Sequence, residues 1–303
     1  MKAVIFIASL YLRAQRRKKL REINRNINVR GERMLVQRES APPIEVYRYL
    51  PSTEKKEPRA LIINVHGGAW IHNHALVLDT ESGILADRLS ALVLSVNHKK
   101  VDEKAFPYAQ YEIYDLVKYC IANADEMGID VNRIVLKGCS SGAHLCACAV
   151  QMLRDDGISV SYQVLCYPFT DFTCGGGRQT EIKETLDKIK IMDKVFFTEI
   201  KKDDPLASPG INPNLKGLPP TLITTCGADS LRVQGEEYAR RLSEAGIDVT
   251  LINDENAIHG YLENNYPETK KDGSKSPEQE MLCRTMLERI IAKISKTHSK
   301  IET

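Results

Sequence analysis

A serine enclosed by glycines is the residue of this 303-residue chain whose surroundings most suggest chemistry. Ser140 is the central residue of GCSSG at 138–142, which fits the pattern G-x-S-x-G. The apolar run at 134–136 predicts a buried strand before it, and residues 143–152, without glycine or proline, predict a helix after it. Small residues on both sides of the turn let strand and helix pass closely and hold the hydroxyl at the apex. An isolated match could equally be an ordinary glycine turn, so the other polar residues of the chain decide its meaning.

Three further groups of polar residues follow predicted strands. HGGAW at 66–70, Asp229 and His259 each come after an apolar run. Because functional residues gather at the carboxyl ends of strands in an open parallel sheet, we expect all of them near Ser140. A serine hydroxyl is a weak nucleophile without an adjacent base. His259 would accept its proton, and Asp229 would orient the imidazole and stabilise the imidazolium, as in an acyl-transfer triad.

Acyl transfer also requires backbone N–H groups that bind the developing oxyanion. Ser141 is one candidate donor, because it begins the predicted helix, whose dipole also favours negative charge. Gly67, Gly68 and Ala69 are the others, because their small side chains let backbone amides approach the substrate. The sequence does not say which two of these three residues face the site.

Other titratable residues near the motifs receive structural interpretations. Asp254 and Glu255 are closer to His259 in sequence than Asp229 is, but they lie between strand and histidine, where solvated loop charges are expected. Cys139 is not at the centre of the G-x-S-x-G pattern, so we do not assign it as the nucleophile. His144 lies one helical turn beyond the serine and is predicted to be a packed structural residue.

The elements that would position these residues alternate along the chain. Alternating residues predict a half-exposed strand at 44–50, and apolar runs predict strands at 60–65, 91–96, 134–136, 160–167, 221–226 and 249–253. Helical patterns predict helices at 1–27, 80–90, 110–124, 143–152, 235–245 and from 276 onward. The alternation predicts βαβ units, and therefore a mainly parallel sheet with helices on both faces. For the last helix, Ser276 is the predicted N-cap, Pro277 the first residue, and Gln279 the partner that completes a capping box.

Composition excludes several classes of partner. The chain is 27% charged and 43% hydrophobic with a net charge of +2, which is ordinary for a globular protein and predicts no nucleic-acid partner. Its 8 cysteines include no Cys-x-x-Cys pair and no zinc-type spacing with histidine. Several of the cysteines lie within apolar runs, where free cysteine behaves as a small hydrophobe. A reducing, cytoplasmic location fits this pattern best.

The N-terminal helix is apolar early and basic later. Its apolar run at 3–12 is far shorter than the ~20 residues that span a bilayer. The basic cluster at 13–21 follows this run and no cleavage site is visible, which is unlike a signal peptide. We expect the helix to pack on the protein body. A peripheral membrane contact through the apolar face and the basic cluster is the alternative.

Six motifs together resemble the hormone-sensitive-lipase-like group of α/β-hydrolase esterases, which includes acetyl esterases and carboxylesterases: HGGAW at 66–70, FPYA at 106–109, GCSSG at 138–142, DPLASP at 204–209, LPPTLITTCGADSLR at 218–232 and IHGY at 258–261. The resemblance covers roughly residues 60–262. It implies an α/β-hydrolase fold, a triad of Ser140, Asp229 and His259, and no metal or organic cofactor. Ala69 departs from the group's third glycine. Cys139 and Ser141 stand where the group most often has an acidic residue and alanine, so fine positioning of the site is in question.

The predicted organisation is a small helical cap over an α/β-hydrolase core. Residues 1–45 form the N-terminal helical cap segment, 171–205 the cap insertion, and 46–170 with 206–303 the core. The predicted activity is cleavage of small-molecule carboxylic esters through an acyl-enzyme on Ser140, with short acyl chains implied by the resemblance. An amidase or peptidase with the same triad, and a non-catalytic ligand-binding protein of the same fold, remain alternatives. The sequence leaves the oligomeric state open.

Overall fold

The computed structural model describes residues 2–26, 28–53, 58–173, 196–264 and 276–301. Eight strands in this part of the chain form one sheet: β1 (Glu32–Val36), β2 (Ile44–Tyr49), β3 (Arg59–Val65), β4 (Leu92–Val96), β5 (Ile129–Cys139), β6 (Tyr162–Cys166), β7 (Thr221–Ala228) and β8 (Val249–Ile258). Their order across the sheet is β1-β2-β4-β3-β5-β6-β7-β8. The six strands from β3 to β8 pair in parallel, whereas β2 pairs antiparallel with both β1 and β4.

The helices cover both faces of this sheet. They are α1 (Lys2–Asn26), α2 (Asp79–Leu89), α3 (Tyr108–Ala122), α4 (Ala124–Met127), α5 (Ser141–Asp155), α6 (Arg232–Glu244), α7 (Tyr261–Asn264) and α8 (Pro277–Ser299). Ile63 and Leu136 point to one face, where they join a core built with α3, α5 and α6. Their chain neighbours Ile62 and Val135 point to the opposite face and pack with α2 and α8. The alternation explains why these two strands carry apolar residues on both faces. The predicted α/β-hydrolase fold is confirmed.

One strand departs from the predicted organisation. The predicted N-terminal cap segment includes residues 32–36, but these residues form β1 at the edge of the core sheet. Only Val36 of this strand is fully buried. An edge strand pairs on one side only, so its sequence can remain largely polar and its hydrophobic signal is weak. Of the predicted cap insertion, residues 174–195 lie outside the described residues, and a cap formed by 171–205 stays a prediction.

The predicted capping box at the start of α8 is wrong. The helix has proline at its first position as expected, but Ser276 makes no side-chain capping hydrogen bond. The side chain of Gln279 turns to the segment before His259 instead. Its Oε1 accepts the Ile258 N–H at 3.0 Å, and its Nε2 donates to the Asn256 carbonyl at 2.6 Å. Tertiary hydrogen bonds thus replace the local one.

The N-terminal helix α1 contacts the loops that follow β3 and β4. The Arg16 guanidinium donates to the Asp102 carboxylate at 2.8 and 2.9 Å and to the Ile71 carbonyl at 2.7 Å. Ser9 Oγ also donates to Asp102 Oδ2 at 3.0 Å. These contacts place the helix on the protein body near the segment that follows HGGA. Across the described ranges, no helix combines the length and the apolarity needed to cross a bilayer.

Candidate active site

Ser140 lies at the sharp turn between β5 and α5. Its backbone has φ 51° and ψ −117°, a conformation that non-glycine residues rarely adopt. A Cβ added to Gly138 would lie 2.4 Å from the Gly142 carbonyl, and one added to Gly142 would lie 2.1 Å from the Val65 carbonyl oxygen. Only glycine fits at either position, because the strand, the helix and neighbouring β3 meet at the turn. The GCSSG spacing therefore has a direct steric cause.

The structure brings Ser140, His259 and Asp229 into one hydrogen-bonded line. His259 Nε2 lies 2.9 Å from Ser140 Oγ, and His259 Nδ1 lies 2.7 Å from Asp229 Oδ2. A carboxylate accepts hydrogen bonds, so Nδ1 carries the proton and the lone pair of Nε2 faces the serine hydroxyl. This is the tautomer that a general base needs.

Asp229 is held in place by the start of α6. Its second oxygen, Oδ1, accepts the Leu231 N–H at 2.9 Å, and its carbonyl accepts the Arg232 N–H at 3.1 Å. Glu255, by contrast, pairs with Arg232 at 3.1 Å and accepts from Asn253 rather than from the imidazole. Burial raises the pKa of Asp254, which also makes no recorded contact with His259. Among the described carboxylates, Asp229 is the one at hydrogen-bond distance from His259.

Two of the three candidate amides in the loop after β3 are without a hydrogen-bond acceptor among the described residues. The Gly67 N–H donates to the buried carboxylate of Glu263 at 2.6 Å and is therefore already occupied. Within the described residues, the N–H groups of Gly68, Ala69 and Ser141 have no hydrogen-bond acceptor. Ala69 adopts φ 51°, which shows that an alanine fills the left-handed conformation that a third glycine would adopt without strain. The set of candidate oxyanion donors is thus reduced to Gly68, Ala69 and Ser141.

A buried histidine braces the backbone of this loop. His66 is fully buried; its Nδ1 lies 2.6 Å from the Gly67 carbonyl oxygen, and its Nε2 lies 3.2 Å from Lys100 Nζ. Lysine only donates, so Nε2 accepts and Nδ1–H donates to the carbonyl. Burial is the main cause that lowers the pKa of His66 well below its ordinary value, and nearby Lys100 lowers it further. His66 is therefore a neutral structural residue of the loop.

Comparison with known proteins places this geometry in a family. A sequence profile described as alpha/beta hydrolase fold matches residues 62–263, which is about two thirds of the chain. The chain belongs to the α/β-hydrolase family. The matched range contains the HGGA loop, Ser140, Asp229 and His259, and ends at Glu263.

Several proteins to which this chain is similar are named esterases, and one is named a deacetylase. An arylesterase of Saccharolobus solfataricus is 31% identical over 227 residues, which cover 73% of this chain and 72% of that protein. An arylacetamide deacetylase of Bos taurus is 27% identical over 300 residues, covering 76% and 75%. A solved esterase of Pyrobaculum calidifontis superposes with a TM-score of 0.78 at 26% identity, covering 97% and 94%. The resemblance to esterases of this fold is confirmed.

His144 and Cys139, which the sequence does not assign to catalysis, are buried in the core of this hydrolase. His144 is fully buried, receives the Trp70 indole N–H at Nδ1 (3.1 Å) and donates from Nε2 to the Ala207 carbonyl at 2.7 Å. Burial lowers the pKa of His144 to about 4, so the ring is neutral and both nitrogens are engaged. Cys139 is also fully buried, and burial raises the pKa of its thiol well above the ordinary value. Neither residue is available as a base or nucleophile.

Three positioning contacts of this hydrolase were not found from the sequence. The Tyr167 ring packs against the His259 imidazole with ring centroids 5.0 Å apart. Gln279 binds the backbone of Asn256 and Ile258, just before His259. Glu263 binds Gly67 across 196 residues of sequence. The one local signal was the position of Glu263 four residues after His259, which places an acid beside the motif IHGY.

Metal chemistry has no ready ligand set in the part of the chain that is described. No group of three or more His, Cys, Asp and Glu side chains there has an arrangement that could hold a metal ion.

Proposed function

We propose that this α/β hydrolase cleaves carboxylic esters through an acyl-enzyme intermediate on Ser140. The observation that carries the proposal is the continuous hydrogen-bonded line from Asp229 through His259 to Ser140, with distances of 2.7 and 2.9 Å. The esterase names of its relatives support carboxylic esters as the substrate class.

The proposed reaction has two half-reactions of the same form. Ser140 Oγ attacks the acyl carbonyl carbon while its proton passes to His259 Nε2, and Asp229 stabilises the imidazolium. The tetrahedral intermediate collapses, the C–O bond to the alcohol breaks, and Nε2 returns the proton to the leaving oxygen. Water then attacks the acyl-enzyme in the same way, so that the carboxylic acid leaves and Ser140 regains its proton.

The developing oxyanion would be bound by the amides of Gly68, Ala69 and Ser141. These N–H groups have no acceptor within the described residues, so they are free to bind the substrate oxygen. Ser141 adds the positive end of the α5 dipole, since it is the first residue of that helix. Each donor of this kind contributes roughly 3–4 kcal/mol to transition-state stabilisation.

The proposal also covers the length of the acyl chain and the choice between ester and amide substrates. Short acyl chains, from acetate to hexanoate, are inferred from the family resemblance. All seven described cysteines are buried as thiols, which supports a reducing, cytoplasmic location. Amide cleavage is the second candidate, because a relative bears the name arylacetamide deacetylase and the same triad can attack an amide carbonyl.

Matched ester and anilide substrates separate the two candidates. We expect kcat/KM for 4-nitrophenyl acetate to exceed that for 4-nitroacetanilide by a large factor, and the rate to fall from butyrate to decanoate esters. A higher kcat/KM on the anilide would favour the amidase. Failure of the folded protein to react with a fluorophosphonate probe would favour the non-catalytic alternative.

A further inference from the structure

We propose that Glu263 is a positioning residue for ester hydrolysis: its carboxyl group binds the Gly67 amide and thereby aims the amides of Gly68 and Ala69 at the acyl oxygen. The inference rests on the proposed function, because it assigns a role within the same site. Glu263 does not touch the reacting atoms. It acts through the loop.

The contact between Glu263 and the loop is short and buried. The glutamate belongs to α7, and its side chain is 5% exposed. Oε1 accepts the Gly67 N–H at 2.6 Å. Oε2 lies 2.7 Å from the point where a Cβ on residue 67 would be, and the Cys139 carbonyl oxygen and Ser140 Cβ follow at 2.9 and 3.0 Å. The carboxyl group therefore fills the space between the loop and the turn that carries the serine.

Both backbone polar groups of Gly67 are held by hydrogen bonds. Its N–H binds Glu263, while its carbonyl oxygen accepts from His66 Nδ1 at 2.6 Å and from Asn73 Nδ2 at 3.2 Å. His66 and Asn73 belong to the loop or its immediate continuation, so they cannot by themselves fix the loop relative to the serine. Among the described hydrogen bonds to the Gly67 backbone, the one to Glu263 comes from outside the loop.

The position of Glu263 links the two halves of the proposed machinery. It lies four residues after His259 in the chain, and α7 begins two residues after that histidine. The hydrogen bond at Gly67 thus ties the loop of oxyanion donors to the segment that carries the base. Misplacement of catalytic groups by about 1 Å can lower a rate by about 100-fold, so loss of this tie should be visible in kcat.

Asp79 supplies a matched control. It is also a buried carboxylate that accepts a glycine amide, since its Oδ1 accepts the Gly31 N–H at 3.0 Å and its side chain is as deeply buried. Its other partners are the Arg30 N–H at 3.1 Å and the Tyr49 hydroxyl at 2.9 Å. None of these residues belongs to the proposed site, so Asp79 reports the structural cost of losing such a bond.

The test compares Glu263→Ala, Glu263→Asp and Glu263→Gln with Asp79→Ala and Asp79→Asn in the full-length protein. For each, kcat and KM on 4-nitrophenyl butyrate, the rate of fluorophosphonate labelling and Tm are measured. Glu263→Ala should lower kcat and the labelling rate by about 10- to 100-fold with KM nearly unchanged. Glu263→Asp retains the carboxyl group but shortens its reach, so it should also lower kcat. This variant keeps the test valid if the alanine variant does not fold. Glu263→Gln retains an oxygen acceptor and should recover most of kcat.

Asp79→Ala should lower Tm while leaving kcat of the folded protein unchanged. The proposal is overturned if Glu263→Ala and Glu263→Asp keep the wild-type kcat, if the glutamine variant falls as far as the alanine variant, or if kcat losses follow Tm at both positions. Wild-type protein that neither hydrolyses the ester nor reacts with the probe would contradict the proposed function itself. Wild-type activity that is indifferent to Glu263 contradicts only the positioning role.

Discussion

The Asp229 side chain is 2% exposed, whereas the His259 side chain that it binds is 40% exposed. The acid is thus shielded from water and the base is accessible from the substrate side. A carboxylate with this burial interacts with the imidazolium more strongly than an exposed one would. A buried Asp229 and an accessible His259 therefore fit their proposed roles as orienting acid and general base.

Replacement of Asp229 by Asn should abolish most activity without unfolding the protein. An amide at this position favours the wrong imidazole tautomer, and kcat should fall by about 10³- to 10⁴-fold. Asp254→Asn is the matched control, because Asp254 lies within β8 beside Cys226 of β7 and makes no hydrogen bond with His259. Steady-state kinetics on 4-nitrophenyl acetate decide between them; a larger loss for Asp254→Asn would refute the assignment of the acid.

Ala69→Gly should stabilise the fold. Ala69 has φ 51°, a left-handed conformation that costs an L-residue roughly 1–2 kcal/mol and glycine almost nothing. We expect urea unfolding to show a gain of about 1 kcal/mol after the glycine's greater unfolded-state entropy is included. Ala292→Gly makes the same chemical change at an exposed position inside α8 and should destabilise by about 1 kcal/mol. Equal losses for both variants would show that Ala69 is not strained.

Stability should decline as the pH falls below 6.5, and His144 should account for part of the decline. Burial lowers the pKa of His144 from 6.5 to about 4, so between these values the unfolded chain binds a proton there and the folded protein does not. The free energy of unfolding that neutral His144 contributes above pH 6.5 is therefore lost as the pH falls from 6.5 to about 4. His74 and His298, whose pKa values burial also lowers to about 4, contribute in the same direction.

His144→Gln removes the titration while keeping a donor and an acceptor for Ala207 and Trp70. Its free energy of unfolding should change less between neutral pH and about pH 5 than that of the wild type. The difference between the two pH values is the quantity to measure by urea denaturation, because the substitution also changes stability at neutral pH. Parallel pH slopes for the two proteins would contradict the role of His144.

The main features of the fold and site follow from local sequence patterns. The strands β3, β5 and β7 are apolar on both faces, which marks them as internal strands whatever the details of tertiary packing. The spacing of GCSSG reflects steric contacts within a single turn. Because Asp229 and His259 each follow a parallel strand of the same sheet, their approach to Ser140 could be expected before the structure was known.

Contacts between distant segments could not be predicted in this way. No local pattern connects Glu263 with Gly67, and the side chain of Gln279 satisfied a local capping rule although it binds the backbone before His259. The edge strand β1 had too few buried positions to stand out. In each case a hydrogen bond or a strand pairing between distant segments determines the structure. The neighbouring sequence shows no pattern that predicts it.

The nucleophile is the central claim, and it is tested most directly by locating a fluorophosphonate adduct by peptide mass spectrometry in wild type, Ser140→Ala and Ser141→Ala. The Ser141 hydroxyl is buried without a hydrogen-bond partner in the described structure, so its removal should leave hydrolysis and labelling nearly intact. We predict the adduct on Ser140, and neither labelling nor hydrolysis in Ser140→Ala. An adduct on Ser141, or wild-type hydrolysis by Ser140→Ala alongside an inactive Ser141→Ala, would contradict the account.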